Sequence, residues 1–275
     1  IKKYPLLPAG KYEIKLNEMR PAEEKDKLRQ SARSLHADSI RLFTAGKYAE
    51  ARQTIEKAIE KNNFPKGAFS LLQSADPAVS AELVKHPKIE AVGFTGSGYV
   101  GRILFDLGAA RPKPIPVYAE MGSANPLFVL PNAINNRLED ITKGLAASIT
   151  LSTGQFCTKP GLVFAVNSAL TETFKQKLVE SLNQIPAGVF LNEGIKKSLQ
   201  QKTAAYSDSR ELTRLAGNAI GGGHLFVVNG TDFIKNRTLE EEVFGPAALL
   251  VECKDMDEMM QAAARLSGHL TGTIH

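Results

Sequence analysis

The sequence predicts an α/β protein carried behind a helical hairpin, and three observations predict it. From Phe64 onward, short runs rich in Val, Leu, Ile and Phe alternate with longer amphipathic stretches, the pattern of strand and helix units around a largely parallel sheet. Ahead of them, residues 22–62 carry apolar side chains at helical spacing on both sides of a glycine-containing break. Composition agrees: 43% of the 275 residues are hydrophobic and 23% charged, enough for one large or two medium globular domains.

Residues 1–21 hold Pro5, Pro8 and Pro21 with the alternating run Tyr12-Glu13-Ile14-Lys15-Leu16, so an edge strand or extended arm is expected there. Over 22–62, Leu28, Ala32, Leu35, Ser39 and Leu42 share one helical face. After the break at Ala45-Gly46-Lys47, a second helix carries Ala51, Ile55, Ala58 and Ile59. Gly46-Lys47-Tyr48-Ala49-Glu50-Ala51 followed by Ala58 resembles a single tetratricopeptide repeat, and a generic amphipathic hairpin fits equally well. Because one repeat cannot bury its own apolar face, residues 22–62 are also a candidate surface for a protein partner.

Residues 64–72 read as a turn entering a strand and 77–86 as a helix. A buried strand over 89–95 then leads through a Gly-rich turn into a helix over 100–109. Strands are expected over 116–120 and 126–130, a helix over 136–152, a strand over 162–166 and a helix over 171–183. A mainly polar helix spans 193–205, and Gly221-Gly222-Gly223 opens onto a strand over 225–228. A strand over 248–251 and a helix over 256–266 close the pattern.

Several function classes are excluded by composition. The net charge is +5, but the basic residues near the start are interleaved with Glu13, Glu18, Glu23, Glu24 and Asp26, and no aromatic-spaced basic stripe follows, so no nucleic-acid partner is expected. Two cysteines outside any Cys-x-x-Cys pair give no disulfide framework and fit a reducing compartment. No 18-residue uncharged stretch and no apolar leader run are present, so no membrane span and a cytoplasmic location are expected. The five histidines lack metal-ligand spacing, and no metal site is expected.

Three segments carry chemistry. Thr153-Gly154-Gln155-Phe156-Cys157-Thr158-Lys159-Pro160-Gly161-Leu162 sets a lone thiol in a turn, where backbone N–H groups would hold an oxyanion and favour the thiolate, with Lys159 adding to this if it points inward. By residue type alone, a single cysteine is more often an inert buried residue. Phe94-Thr95-Gly96-Ser97-Gly98 lies between strand and helix, so backbone N–H groups and the Ser97 hydroxyl face where an anion sits; many such turns contain Gly-Ser for geometric reasons only. Glu120 ends an apolar strand just before Gly122, where desolvation would raise its pKa. Glu240-Glu241-Glu242, by itself, is an ordinary solvated charge run.

In order along the chain, Val92-Gly93-Phe94-Thr95-Gly96-Ser97, Tyr118-Ala119-Glu120-Met121-Gly122-Ser123, the Cys157 turn and Glu241-Glu242-Val243-Phe244-Gly245-Pro246 together resemble the aldehyde dehydrogenase superfamily. The wording Glu120-Met121-Gly122-Ser123-Ala124-Asn125-Pro126 with Gly154-Gln155-Phe156-Cys157 looks most like its 2-oxoglutarate-semialdehyde (2,5-dioxopentanoate) branch. The resemblance covers Phe64 to His275. It implies a partial aldehyde dehydrogenase fold: an arm and hairpin over 1–62, a remnant of a Rossmann-like cofactor domain over 63–121, and an α/β catalytic domain over 122–275, shortened at both ends. The second hairpin helix would then stand where the family has the helix before the strand at Phe69.

The same resemblance implies roles. Cys157 becomes the nucleophile and Glu120 the general base. Thr95, Gly96, Ser97, Gly122, Glu242 and Phe244 become the cofactor-binding set for NAD or NADP, with Glu242 on the nicotinamide ribose and Phe244 near the ring, while Asn125 supports the active-site turn and Cys253 packs. The partner implied is a small aldehyde, and a homo-oligomer is compatible with it. Asn63-Phe64-Pro65 matches in letters the family segment that completes the oxyanion hole but sits too late in the fold for that role. The competing expectation is a catalytically impaired chain that serves as a scaffold through its hairpin.

Overall fold

The computed structural model describes residues 23–44, 47–61, 70, 72, 74, 76–217 and 219–275. The expected arm over 1–21, the Ala45-Gly46 turn, Asn63-Phe64-Pro65 and most of the strand expected over 64–72 lie outside these residues. The chain divides into two compact units, Ile1–Ala75 and Asp76–His275.

In the first unit, α1 (Glu24–Thr44) and α2 (Tyr48–Lys61) pack side by side as the expected hairpin. Glu24 and Asp26 lie in the first turn of α1 and Arg41 in its last, each complementing the helix dipole. Ala51 on α2 and Ser39 on α1 are buried, small residues that let two helices approach closely.

The second unit begins with α3 (Pro77–Lys85), whose start is set by Pro77 and by Asp76 accepting a hydrogen bond from the Ala78 N–H. Strand β1 (Val92–Thr95) pairs in parallel with β2 (Val117–Glu120), and α4 (Gly98–Ala109) makes the crossover. Gly108 lies so close to Val117 that an added Cβ would meet its methyl at 2.6 Å. Arg111 ties the unit together by donating to the Val84 and Ile89 carbonyls at 3.1 and 2.8 Å. The buried strand expected over 89–95 is corrected here: β1 is shorter and alternates half-buried with exposed, because its sheet has only two strands among the described residues. α4 starts two residues earlier than expected, with Ser97 accepting from the Val100 N–H at 3.3 Å. Ser97→Ala is expected to lower stability by about 1 kcal/mol, the usual worth of such a cap, read as a lower urea midpoint.

The larger sheet has six strands in the order β5 (Thr213–Ala216), β6 (His224–Asn229), β7 (Ala247–Cys253), β4 (Leu162–Val166), β3 (Leu127–Val129) and β8 (Thr273–Ile274). All pairings are parallel except β5 with β6. The central strands are nearly continuous apolar runs because helices cover both faces. Strand periodicity divides the core in two. Val163, Ala165, Leu225, Val227, Ala248 and Leu250 meet α5 (Pro131–Thr150) and α6 (Ala169–Asn183) on one face. Leu162, Phe164, Phe226, Val228, Leu249, Val251 and Cys253 turn to α8 (Gly230–Lys235) and α9 (Met256–Ala264) on the other. Phe164 stacks on Phe128 at 4.7 Å and meets Phe233 edge-on at 5.4 Å. Cys253 is fully buried, and that burial, helped by Glu258 and Asp255, pushes its thiol up to about 12, the packing role expected of it.

Helix α7 (Glu193–Asp208) is capped by Asn192. The helix expected over 136–152 starts earlier, at Pro131, and stops at Thr150, with a kink where Arg137 leaves helical geometry. The segment from Leu151 to Gly154 is a tight turn, left-handed at Ser152 and Thr153, rather than a continuation of the helix. Among the described residues, no helix is long and apolar enough to cross a membrane and no His, Cys, Asp and Glu group is placed to hold a metal.

Candidate active site

The turn that presents Cys157 begins with Ser152, Thr153 and Gly154 at φ 52°, 58° and 64°. For Ser and Thr the left-handed region costs roughly 1–2 kcal/mol per residue, so something outside the turn must hold it. Gln155 does part of this. Its Nε2 donates to the Ser152 carbonyl at 2.9 Å and the Val189 carbonyl at 3.2 Å, while its Oε1 accepts from the Leu191 N–H at 2.8 Å. Thr153 Oγ1 adds a bond to the Val189 carbonyl at 3.1 Å. Gly154 must be glycine for space as well as for φ, since an added Cβ would overlap the Gly245–Pro246 backbone.

Downstream, the turn is fixed from the other side by Asn125. Its Nδ2 donates to the carbonyls of Cys157 at 2.8 Å and Lys159 at 2.9 Å. Its Oδ1 accepts from Ser123 Oγ at 2.8 Å and from the Thr271 N–H and hydroxyl at 3.2 and 3.1 Å. Asn125 is buried and itself left-handed, at φ 47°. Cys157 is left exposed at the end of this frame.

Lys159 points inward but past the thiol's own turn. It is 2% exposed, and its Nζ donates to the Ala247 carbonyl at 2.6 Å while its charge faces Glu242. Burial lowers its pKa to about 8, with Glu242 pulling the other way. The Glu242 carboxyl is in turn pushed up by burial, opposed by the Lys159 ammonium and by the Ser123 backbone N–H. Gly122 admits that carboxylate: an added Cβ would lie 2.5 Å from Glu242 Oε2.

Cys157, Gln155, Gly122 and Glu242 open on one cavity of about 720 Å³, with Lys159 and Asn125 outside its lining. The structure brings all eight sequence-predicted site residues to its wall: Thr95, Gly96 and Ser97 before α4, Glu120 and Gly122 after β2, Cys157, and Glu242 with Phe244 before β7. Two expectations need correction. Glu120 is exposed, so the burial expected at its strand end is not found, its sheet having two strands among the described residues. The Gly96 N–H donates to the Glu120 carbonyl at 3.0 Å and is thereby taken from any anion. Sequence reasoning also missed the wall made by Leu191, Asn192, Gly194, Ile195 and Ser198, whose only local signal is the Asn192 cap. It missed Leu270 and Thr271 too; the Leu270 N–H donates to Ser123 Oγ at 3.0 Å and so buttresses the Asn125 frame.

A profile described as the aldehyde dehydrogenase family matches residues 48–275. The chain belongs to the aldehyde dehydrogenase family. Its relatives include alpha-ketoglutaric semialdehyde dehydrogenase 2 of Azospirillum brasilense, 40% identical over 81% of this chain. The alpha-ketoglutaric semialdehyde dehydrogenase of Acinetobacter baylyi is 36% identical over 81% of it. The chain spans 43% of the length of each of these two aldehyde dehydrogenases. An NAD-dependent benzaldehyde dehydrogenase from Corynebacterium glutamicum shares the fold, with a TM-score of 0.67 at 22% identity over 82% of this chain and 49% of that one. The profile begins at residue 48 and so takes in α2 as part of the aldehyde dehydrogenase match. The likeness of residues 22–62 to a tetratricopeptide repeat rests on the sequence alone.

Proposed function

We propose that this chain carries the chemistry of an aldehyde-oxidising enzyme that uses NAD or NADP, with 2-oxoglutarate semialdehyde as substrate. The observation that carries this reading is the meeting of Cys157, Glu120 and Glu242 on one cavity from three separate stretches of sequence. The substrate is taken from the names of the Azospirillum and Acinetobacter relatives.

In this reading the Cys157 thiolate adds to the aldehyde carbon, giving a tetrahedral thiohemiacetal whose oxyanion is stabilised by backbone N–H groups of the turn. A nicotinamide dinucleotide, when bound, accepts the hydride. The glycine cradle at Gly122 and the half-buried Glu242 carboxylate suit the ribose hydroxyls next to its ring, and Phe244 supplies an apolar face beside them. Thr95 and Ser97 at the start of α4 face the rest of the dinucleotide. Loss of hydride leaves an acyl thioester on Cys157. Glu120, exposed to the cavity and to solvent, takes a proton from water, which attacks the acyl carbon and frees the acid and the thiolate.

The test is growth of reduced-nicotinamide absorbance with 2,5-dioxopentanoate and NAD or NADP. Cys157→Ala is expected to abolish the signal. Glu120→Gln is expected to keep a single-turnover burst but lower steady-state turnover about 100-fold, the usual worth of a general base. A folded chain with no Cys157-dependent signal would refute the oxidoreductase reading and favour the scaffold role for residues 22–62.

A further inference from the structure

We infer that Gln155 is a positioning residue: its side-chain amide clasps the Cys157 turn to the 188–191 loop and so fixes the nucleophile relative to the α7 wall of the cavity. The inference deepens the proposed function and rests on it for the meaning of that wall. The clasp itself rests on geometry alone.

Both ends of the amide are committed to different stretches of chain. Nε2 serves the Ser152 carbonyl within the turn and the Val189 carbonyl across the gap, and Oε1 receives the Leu191 N–H. Two carbonyls and one N–H leave only one orientation of the amide that satisfies all three. The loop it reaches is also tied to the turn by Thr153 Oγ1, which donates to the Val189 carbonyl at 3.1 Å, but of these two side chains only Gln155 reaches Leu191. Val189 and Leu191 expose 86% and 83% of their surface, so apolar burial does not anchor them. At the other end of the loop, the Gly188 N–H donates to the Gly221 carbonyl at 3.0 Å, and Gly188 leaves just enough room for Thr153 Oγ1.

The clasp therefore joins two things that need a fixed distance. On one side is a turn with two non-glycine residues in the left-handed region, which relaxes unless held. On the other is Leu191, which lines the cavity with Asn192 and the first turns of α7. Catalysis by approach is steep in geometry, and a misplacement of about 1 Å can cost about 100-fold in rate. A residue bonded to both sides, itself on the cavity wall, has that leverage through the turn it holds.

Two variants test this in the purified chain. Gln155→Glu keeps the shape and the acceptor for Leu191 but sets a carboxylate against two carbonyl oxygens. Gln155→Met removes the three hydrogen bonds of this side chain at similar volume and leaves the Thr153 Oγ1 bond to Val189 in place. Three quantities are read below the unfolding midpoint of each: the rate of Cys157 carbamidomethylation by iodoacetamide, with buried Cys253 as internal control, hydrogen exchange of the peptide covering 186–191, and kcat against KM for 2,5-dioxopentanoate. Both variants are expected to alkylate Cys157 about fivefold or more slowly and to exchange faster over 186–191, with kcat down about tenfold and KM for the aldehyde within about twofold. A lower midpoint with unchanged alkylation and exchange in the folded state, in either variant, overturns the inference. Absence of nicotinamide reduction in the wild-type chain would sink the oxidoreductase reading alone, since alkylation and exchange need neither cofactor nor substrate.

Discussion

Asn125→Ala is expected to lower the unfolding free energy by about 4 kcal/mol, the upper range for a single substitution, and to free the Cys157 turn from the sheet. Two causes add. Alanine at φ 47° is strained where asparagine is tolerated. The loss of the amide also leaves the Cys157 and Lys159 carbonyls, Ser123 Oγ and the Thr271 N–H without the partner that joins them. Each buried polar group so stranded costs about 1–3 kcal/mol, reduced where water can enter. Asn125→Gly separates the causes, since glycine relieves the strain and strands the same groups. Urea unfolding of the three proteins decides it: alanine below glycine and both well below wild type is the expected order. An Asn125→Ala midpoint within experimental error of wild type would mean the turn is held from elsewhere.

That network marks the limit of what the sequence shows. The central sheet was legible because β4, β6 and β7 are apolar on both faces, a pattern that needs no partner to be recognised. Strand β8 was not, since Thr273 and Ile274 become a strand only by pairing with β3, which lies far back in the chain. β1 misled for a related reason: its composition suits a buried strand, but burial depends on how many strands flank it.

The site divides the same way. Cys157, Glu120, Glu242 and the turn before α4 were singled out by the resemblance of short motifs to a known family, Glu242 by itself reading as part of a solvated charge run, and all lie on the wall of one cavity. The left-handed geometry of Ser152 and Thr153 left no trace, since neither is glycine and the restraints come from Gln155 and the 188–191 loop. The α7 wall was invisible because nothing in a helix's own sequence says which neighbour its first turn will face. Lys159 ran against the expectation of its type, because lysine is almost never fully buried unless paired.

That burial gives the protein a pH dependence with a definite sign. Lys159 titrates near 8 in the folded protein, chiefly because burial disfavours its charge, against an ordinary value of 10.5. Between these two values the unfolded chain holds more protons at this site than the folded one, so the site's contribution to stability rises with pH. Its destabilising effect is complete below about 8 and is fully relieved by about 10.5, a span worth roughly 3 kcal/mol. Lys159→Met has no such group. The unfolding free energy of wild type minus that of Lys159→Met is therefore expected to climb by about 3 kcal/mol between pH 7 and 10.5, measured by urea unfolding at constant salt. Other lysines and tyrosines titrate in both proteins and cancel in the difference. Burial likewise raises the Glu242 carboxyl, opposed by the Lys159 ammonium, so its own contribution has the opposite sign, stability being lost as pH rises. A difference that stays flat with pH would show that Lys159 keeps its proton when buried, held by the Ala247 carbonyl and Glu242 more strongly than burial opposes. The rising curve would instead make Lys159 the group through which alkaline pH leaves Glu242 without its cation, on the same cavity wall as Cys157.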